Sequence, residues 1–267
     1  AAGIGVLYDR ITLHDLSDSG ESFFAAELTG FGINDNNGSG VFRYRDGVTE
    51  VVARQGDAAP GVGPGVAFGQ LGLGTFEGPS IEINGSGEVL IRTGLQGLGV
   101  DNSNDGAVFA SDENGDLELI LREGDQVPGL EDGVVFTNVD TVDGLGMNES
   151  GDLLINAKLI GPGISGANDF ALFYVDGKGD GELQMIVREG DTIDVNNSPL
   201  VEDLRTVESY DLSYIGTLSA FNDRSEIAFR VTFTDTSEGI FLASVVPEPG
   251  AAALALLPLI VAVSRQH

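Results

Sequence analysis

The sequence predicts an all-β protein built from tandem four-stranded antiparallel repeats, propeller-like with about four blades, followed by a C-terminal apolar helix. Three observations carry that expectation. The chain repeats itself at intervals of roughly 66 residues, it holds 39 glycines in 267 residues, and its apolar residues alternate over short segments.

The repeat shows as three columns that keep one order along the chain. The first is Asn84-Gly85-Ser86-Gly87-Glu88-Val89-Leu90-Ile91, which returns at Asn148 to Ile155 and at Asn222 to Phe229, with a weaker copy at Ser17 to Phe24. The second is Val41-Phe42, Val108-Phe109, Leu172-Phe173 and Ile240-Phe241. Arg-x-Gly-Asp, at Arg54, Arg122 and Arg188, makes the third. Within one unit the elements follow in turn. Ser80 to Ile83 is a short strand, Glu88 to Thr93 a second, and Ala107 to Ala110 a third beyond a polar loop. Leu117 to Arg122 is the fourth, with Leu117, Leu119 and Leu121 on one face. Asn114-Gly115, Asp46-Gly47 and Asp176-Gly177 fall between the third and fourth strands, where a hairpin needs residues that tolerate positive φ. A four-stranded sheet of this size cannot bury both faces alone, so neighbouring units stack, and radial stacking is the commonest solution. The fourth unit ends near Ser244 without its Arg-x-Gly-Asp strand. The expectation is that Gly5 to Arg10 supplies the missing strand and closes the ring. Phe42, Phe109, Phe173 and Phe241 are expected in the core between sheets.

Composition narrows the chemistry. Lys+Arg 13 against Asp+Glu 42 gives a formal net charge of −29, which opposes nucleic acid and anionic lipid as partners. Cys is absent and His numbers 2, so thiolate chemistry is excluded and imidazole chemistry is scarce. His14, near Asp15 and Ser17, reads as a residue at a strand edge rather than a triad base. Close carboxylate pairs are guaranteed by 42 acidic residues, so their presence says nothing specific.

Residues 1–245 form the expected repeat domain, and residues 246–267 a tail of different composition. Pro247-Glu248-Pro249-Gly250 is followed by an apolar run from Ala251 to Val263 and then Ser264-Arg265-Gln266-His267. As a helix the run is about 20 Å long, short of the ~30 Å hydrocarbon core, and Pro258 interrupts it. That order of parts resembles a PEP-CTERM sorting signal, carried by Pro247, Glu248, Pro249 and Arg265. The repeat column resembles the choice-of-anchor tandem repeat of form Asn-x-x-Gly-x-x-Ala-Phe, best kept at Asn222 to Phe229. These resemblances imply export and recognition by an exosortase-type processing enzyme in the inner membrane of a Gram-negative bacterium. The tail helix would touch that membrane transiently. The body would go to the cell envelope, cell surface or extracellular matrix, with exopolysaccharide or another envelope component as partner. They imply no activity. The chain starts at Ala1, without Met or a leader, as expected of a processed or partial chain.

One loop has metal-ligand spacing. Asp101, Ser103 and Asp105 occupy positions 1, 3 and 5 before Gly106, with Asp112 at position 12, the first half of a calcium loop. The glutamate usual at position 12 is missing and the flanks read as strands. The competing reading is an acidic loop between the second and third strands, like those at Asn34 to Gly40 and Asn168-Asp169. The Arg-x-Gly-Asp column is expected to be structural: Gly for the turn, Asp bonding nearby backbone, Arg pairing with an acidic neighbour. The leading expectation is therefore a non-enzymatic exported scaffold. A carboxylate-dependent hydrolase, such as a glycoside hydrolase on a propeller, is the alternative.

Overall fold

The computed structural model describes residues 5–18, 20–71, 80–112, 115–139, 145–177, 181–196, 202–212, 221–248 and 251–257. Every regular element among them is a strand, and the strands form four antiparallel sheets. The first sheet runs β1 (Val6–Leu16), β2 (Ser22–Gly30), β3 (Ser39–Arg45) and β4 (Val48–Arg54) in simple succession. In the second, β5 (Val66–Phe68) and β6 (Ser80–Ile83) both pair with β7 (Val89–Gly97), which is followed by β8 (Gly106–Ser111) and β9 (Leu117–Arg122). After β10 (Val135–Thr137), the third sheet continues β11 (Leu145–Met147), β12 (Leu153–Ile160), β13 (Phe170–Val175) and β14 (Leu183–Arg188). The fourth is β15 (Thr192–Asp194), β16 (Leu204–Asp211), β17 (Glu226–Phe233), β18 (Glu238–Glu248) and β19 (Ala251–Leu257).

The sequence columns are register positions. In each sheet the last residue of the Asn-x-x-Gly column lies directly across from the column phenylalanine: Phe24 opposite Phe42, Ile91 opposite Phe109, Ile155 opposite Phe173, Phe229 opposite Phe241. All four phenylalanines are at most 1% exposed. A β-bulge breaks the pairing of the third and fourth strands beside the same phenylalanine in three sheets, between Val41 and Phe42, Val108 and Phe109, and Leu172 and Phe173. The bulge twists an outer strand whose far edge pairs with no other strand among the described residues, which discourages edge-to-edge association.

The chain divides into two compact units, Ala1–Asp125 with Val135–Val142, and Gln126–Val134 with Asp143–His267. In the first unit Phe23 and Val41 from the first sheet share a core with Ile91 and Phe109 from the second. Phe42 lies on the other face of the first sheet, with Ala26 and Leu28, and meets the rings of Tyr8 and Phe24. The second unit repeats the plan, with Leu172, Tyr174 and Val187 of the third sheet packed with Phe229, Val231 and Phe241 of the fourth. In each unit the column phenylalanine of the later sheet faces the earlier one.

Two expectations need correction. Gly5 to Arg10 does not complete the fourth sheet, because β1 pairs with β2 along its length, from Val6 opposite Gly30 to Leu16 opposite Ser22. The C-terminal apolar helix is not seen either. Ala251–Leu257 is a strand, paired with β18 from Glu248 opposite Ala251 to Leu242 opposite Leu257. Local apolarity suggested a helix, but the edge of β18 offers unpaired N–H and C=O groups, and a short segment folding back satisfies them. β18 itself runs from Glu238 to Glu248, across residues 245 and 246. No helix among the described residues is long and apolar enough to cross a membrane.

Candidate functional site

Residues shared among the repeats hold three kinds of turn. The first is Asn-x-x-Gly-acid, between the first and second strands. Asn84 accepts the Gly87 N–H on its carbonyl (3.0 Å) and the Glu88 N–H on its side-chain oxygen (3.0 Å), while its amide donates to the Glu88 carboxylate. Asn148 and Asn222 repeat this geometry with Asp152 and Glu226. Ser17 does so with its hydroxyl oxygen, which accepts the Glu21 N–H at 3.1 Å. The fourth residue is left-handed in every copy, Gly20, Gly87, Gly151 and Ser225, as a three-residue hairpin loop requires. In the second unit two such turns stack: the Asn148 amide donates to the Asn222 carbonyl at 3.0 Å, and the Ser225 hydroxyl donates to Asp152.

The second turn is Arg-x-Gly-Asp. The Asp N–H donates to the Arg carbonyl in all three copies, at 3.0, 3.1 and 3.1 Å, and Gly56, Gly124 and Gly190 carry φ of 86°, 83° and 82°, a type II turn. The turn couples each sheet to the next first-position strand. Gly56 N–H donates to the Phe68 carbonyl and Phe68 N–H to the Asp57 carbonyl, both at 2.9 Å. The same pair of bonds joins Gly124 and Asp125 to Phe136, and Gly190 and Asp191 to Val207. Arginine behaves differently from expectation in two copies. Arg54 and Arg122 donate to backbone carbonyls, Asn37 at 3.3 Å and Asn104 at 2.8 Å, and among the described residues only Arg188 of the three pairs with an acid, Asp191 at 3.5 Å.

The variable x position is the residue that sequence reasoning passed over. Gln55 and Glu123 are buried, and each accepts the N–H of a residue where the third strand begins, Gly38 at 3.0 Å and Gly106 at 3.1 Å. Glu189 takes the same place and accepts from the Phe170 N–H. Burial, reinforced by the charge of Asp169, raises the Glu189 carboxyl above its ordinary 4.5. A carboxyl more easily protonated when folded adds stability at low pH and loses it as pH rises through the raised value. Glu189→Gln, which copies Gln55, therefore raises the melting temperature at neutral pH. That gain shrinks as pH falls from the raised folded value toward 4.5, and thermal melts across pH 4 to 8 read it directly.

The third turn is the polar loop before the third strand, and it explains the predicted calcium residues. Asn37, Asn104 and Asn168 each accept an N–H three residues back, from Asn34, Asp101 and Ser165 (2.7, 2.9, 2.7 Å), and donate five residues back, to Gly32, Gly99 and Gly163 (each 3.0 Å). The structure brings Asp101 and Ser103 together: Asp101 Oδ1 accepts the Ser103 N–H at 2.9 Å and its hydroxyl at 2.6 Å. Those bonds hold the Asp101 carboxyl below its usual range. Asp105 follows, its carbonyl bonded to the Leu95 N–H at 2.6 Å. Asp112 does not join them. It caps the hairpin at the opposite end of the six-residue β8, about 20 Å along the strand, where it accepts the Asp116 N–H at 2.9 Å. Among the described residues no three His, Cys, Asp or Glu side chains gather to hold a metal ion. Millimolar calcium is expected to leave the melting midpoint unchanged, and a rise that Asp101→Ala abolishes would contradict this.

Beside the first polar loop lies a cleft of about 750 Å³ in the first unit, between Asn34 and Asn36, the Arg54 to Asp57 turn, and Gln96-Gly97 at the end of β7. Of the sorting residues, Pro247 and Glu248 lie in β18, opposite Ala252 and Ala251. Pro249 and Arg265 lie outside the described residues, as does the His14 side chain.

Fold and turns together define an all-β tandem-repeat protein whose recurring polar residues bind its own backbone. The chain belongs to a family of unknown function, DUF7453, which matches residues 1–253. No curated protein matches it.

Proposed function

We propose that this protein is a non-catalytic, exported scaffold, sorted and processed through its C-terminal segment by an exosortase-type enzyme. It would then be delivered to the envelope, surface or extracellular matrix of a Gram-negative bacterium. The observation that carries the reading is the order Pro247-Glu248-Pro249, apolar run, Arg265, at the end of a chain whose repeats are otherwise polar at their turns. Two features agree with it. Apart from Arg188, which pairs with Asp191, the recurring Asn, Arg and Gln or Glu side chains engage backbone, and among the described residues they do not gather into a reactive set. Within each unit the later sheet turns its phenylalanine toward the earlier one, as successive blades of a propeller-like arrangement do. An acidic surface keeps such a scaffold soluble and repels anionic polymers.

On this reading the tail has two exclusive states. Its residues pair with β18, or they leave that edge and enter the inner membrane for transient recognition. The intact mass of protein recovered from its native host tests the proposal. A loss matching removal of everything after Pro249 supports processing; a mature protein that keeps the segment overturns it.

A further inference from the structure

We propose that the cleft beside the first polar loop binds a short, neutral oligosaccharide. Its volume, about 750 Å³, falls within the 300–1,000 Å³ typical of small-molecule sites. Its lining carries more hydrogen-bonding capacity than the protein uses. The Asn36 side chain and the Asp57 carboxylate make no hydrogen bond among the described residues, and Asn34 uses its side-chain oxygen but not its amide. Gln96 spends its amide on the Asn36 carbonyl at 3.3 Å and keeps its oxygen.

Arg54 adds an internal comparison. The matching Arg122 donates its Nε to the Asn104 carbonyl at 2.8 Å, whereas Arg54 reaches the equivalent carbonyl through Nη2 at 3.3 Å; the Arg54 Nε, like that of Arg188, has no partner among the described residues and is too buried to meet a ligand. The fold does not demand this polarity. Where the first loop carries Asp35-Asn36, the third carries Gly166-Ala167 in a turn closed by the same bonds. The extra amide is therefore surplus to folding.

Charge and shape select the ligand class. One cation and one anion line the cleft, and the whole chain bears −29, so a net-charged polymer gains little and a polyanion is repelled. Among the described residues no aromatic ring lines it, so a flat aromatic ligand finds no face there on which to stack. Hydroxyl groups both donate and accept, and adjacent pairs of them match neighbouring amide, guanidinium and carboxylate groups. A neutral sugar chain meets each requirement.

Ligand-observed NMR on the full chain tests this with cellotetraose, maltotetraose and mannotetraose, and with tetragalacturonate as the acidic comparator. Saturable millimolar or tighter binding of at least one neutral probe is expected. Asn36→Ala with Asp57→Ala should weaken it about tenfold or more without moving the melting midpoint, since both side chains are exposed and unbonded within the protein. No saturation by any neutral probe, equal binding by the double variant, or preference for tetragalacturonate overturns the proposal. Each result leaves the tail-processing reading untouched, because that is read from the mass of the C-terminal segment.

Discussion

Phe109→Ala is expected to cost about 3–5 kcal/mol of unfolding free energy. The side chain is fully buried, stands opposite Ile91, meets the Phe68 ring edge-on at 5.0 Å between centroids, and packs with Phe23, Ala25 and Val41 of the first sheet. Its removal leaves a cavity between two sheets whose backbones are fixed by their own ladders, so little collapse can fill it. Phe31→Ser is the control: that ring is 90% exposed and its loss should change stability by no more than about 0.5 kcal/mol. Denaturant titration of both variants reads the difference. A loss below about 1 kcal/mol at Phe109 would mean that the two sheets do not share this core.

Gly97→Ala is the second large effect, at about 3 kcal/mol or more. Gly97 has φ of 122°, and a Cβ there would lie 2.2 Å from the Gly65 carbonyl oxygen, a backbone atom that cannot swing aside. The strands must part, and the Leu98 N–H bond to Gly65, 2.9 Å, goes with them. Gly99→Ala separates the causes. It too has positive φ, 74°, but nothing stands within 4 Å of the added atom, so only the left-handed penalty of about 1–2 kcal/mol applies. Equal losses at the two positions would show that crowding between Gly65 and Gly97 is not real.

Much of this architecture was legible because the repeat columns are made of residues with one dominant physical use. Asn, Gly and an acid at fixed spacing encode a hairpin turn, and a phenylalanine at constant spacing encodes a core position. What escaped notice was written in looser symbols. Gly30-Phe31-Gly32-Ile33, Gly97-Leu98-Gly99-Val100 and Gly161-Pro162-Gly163-Ile164, each ending four residues before the loop asparagine, were visible as a fourth column. The x of Arg-x-Gly-Asp was ignored because Gln and Glu look interchangeable with solvent-facing residues, although both can accept the same N–H. The first strand was read as one piece, whereas β5 and β6 divide it between them on β7, as β1 does not.

Elsewhere a local pattern competes with a partner far away in sequence. Asp112 has calcium spacing from Asp101, but six strand residues between them carry it to the other end of the sheet. Ala251 to Leu257 is apolar enough for a helix, yet β18 presents an edge that a helix cannot satisfy. No local rule weighs those alternatives.

Native-state hydrogen exchange across the chain tests the central claim, that one sheet plan recurs in four copies with the same register. The expected result is four maxima of amide protection, centred on the strand pairs that hold Phe24 and Phe42, Ile91 and Phe109, Ile155 and Phe173, and Phe229 and Phe241. Slow exchange should recur at Gly56, Gly124 and Gly190, whose N–H groups reach the next strand. Protection that falls out of step between copies, or fast exchange at those three glycines, would contradict it.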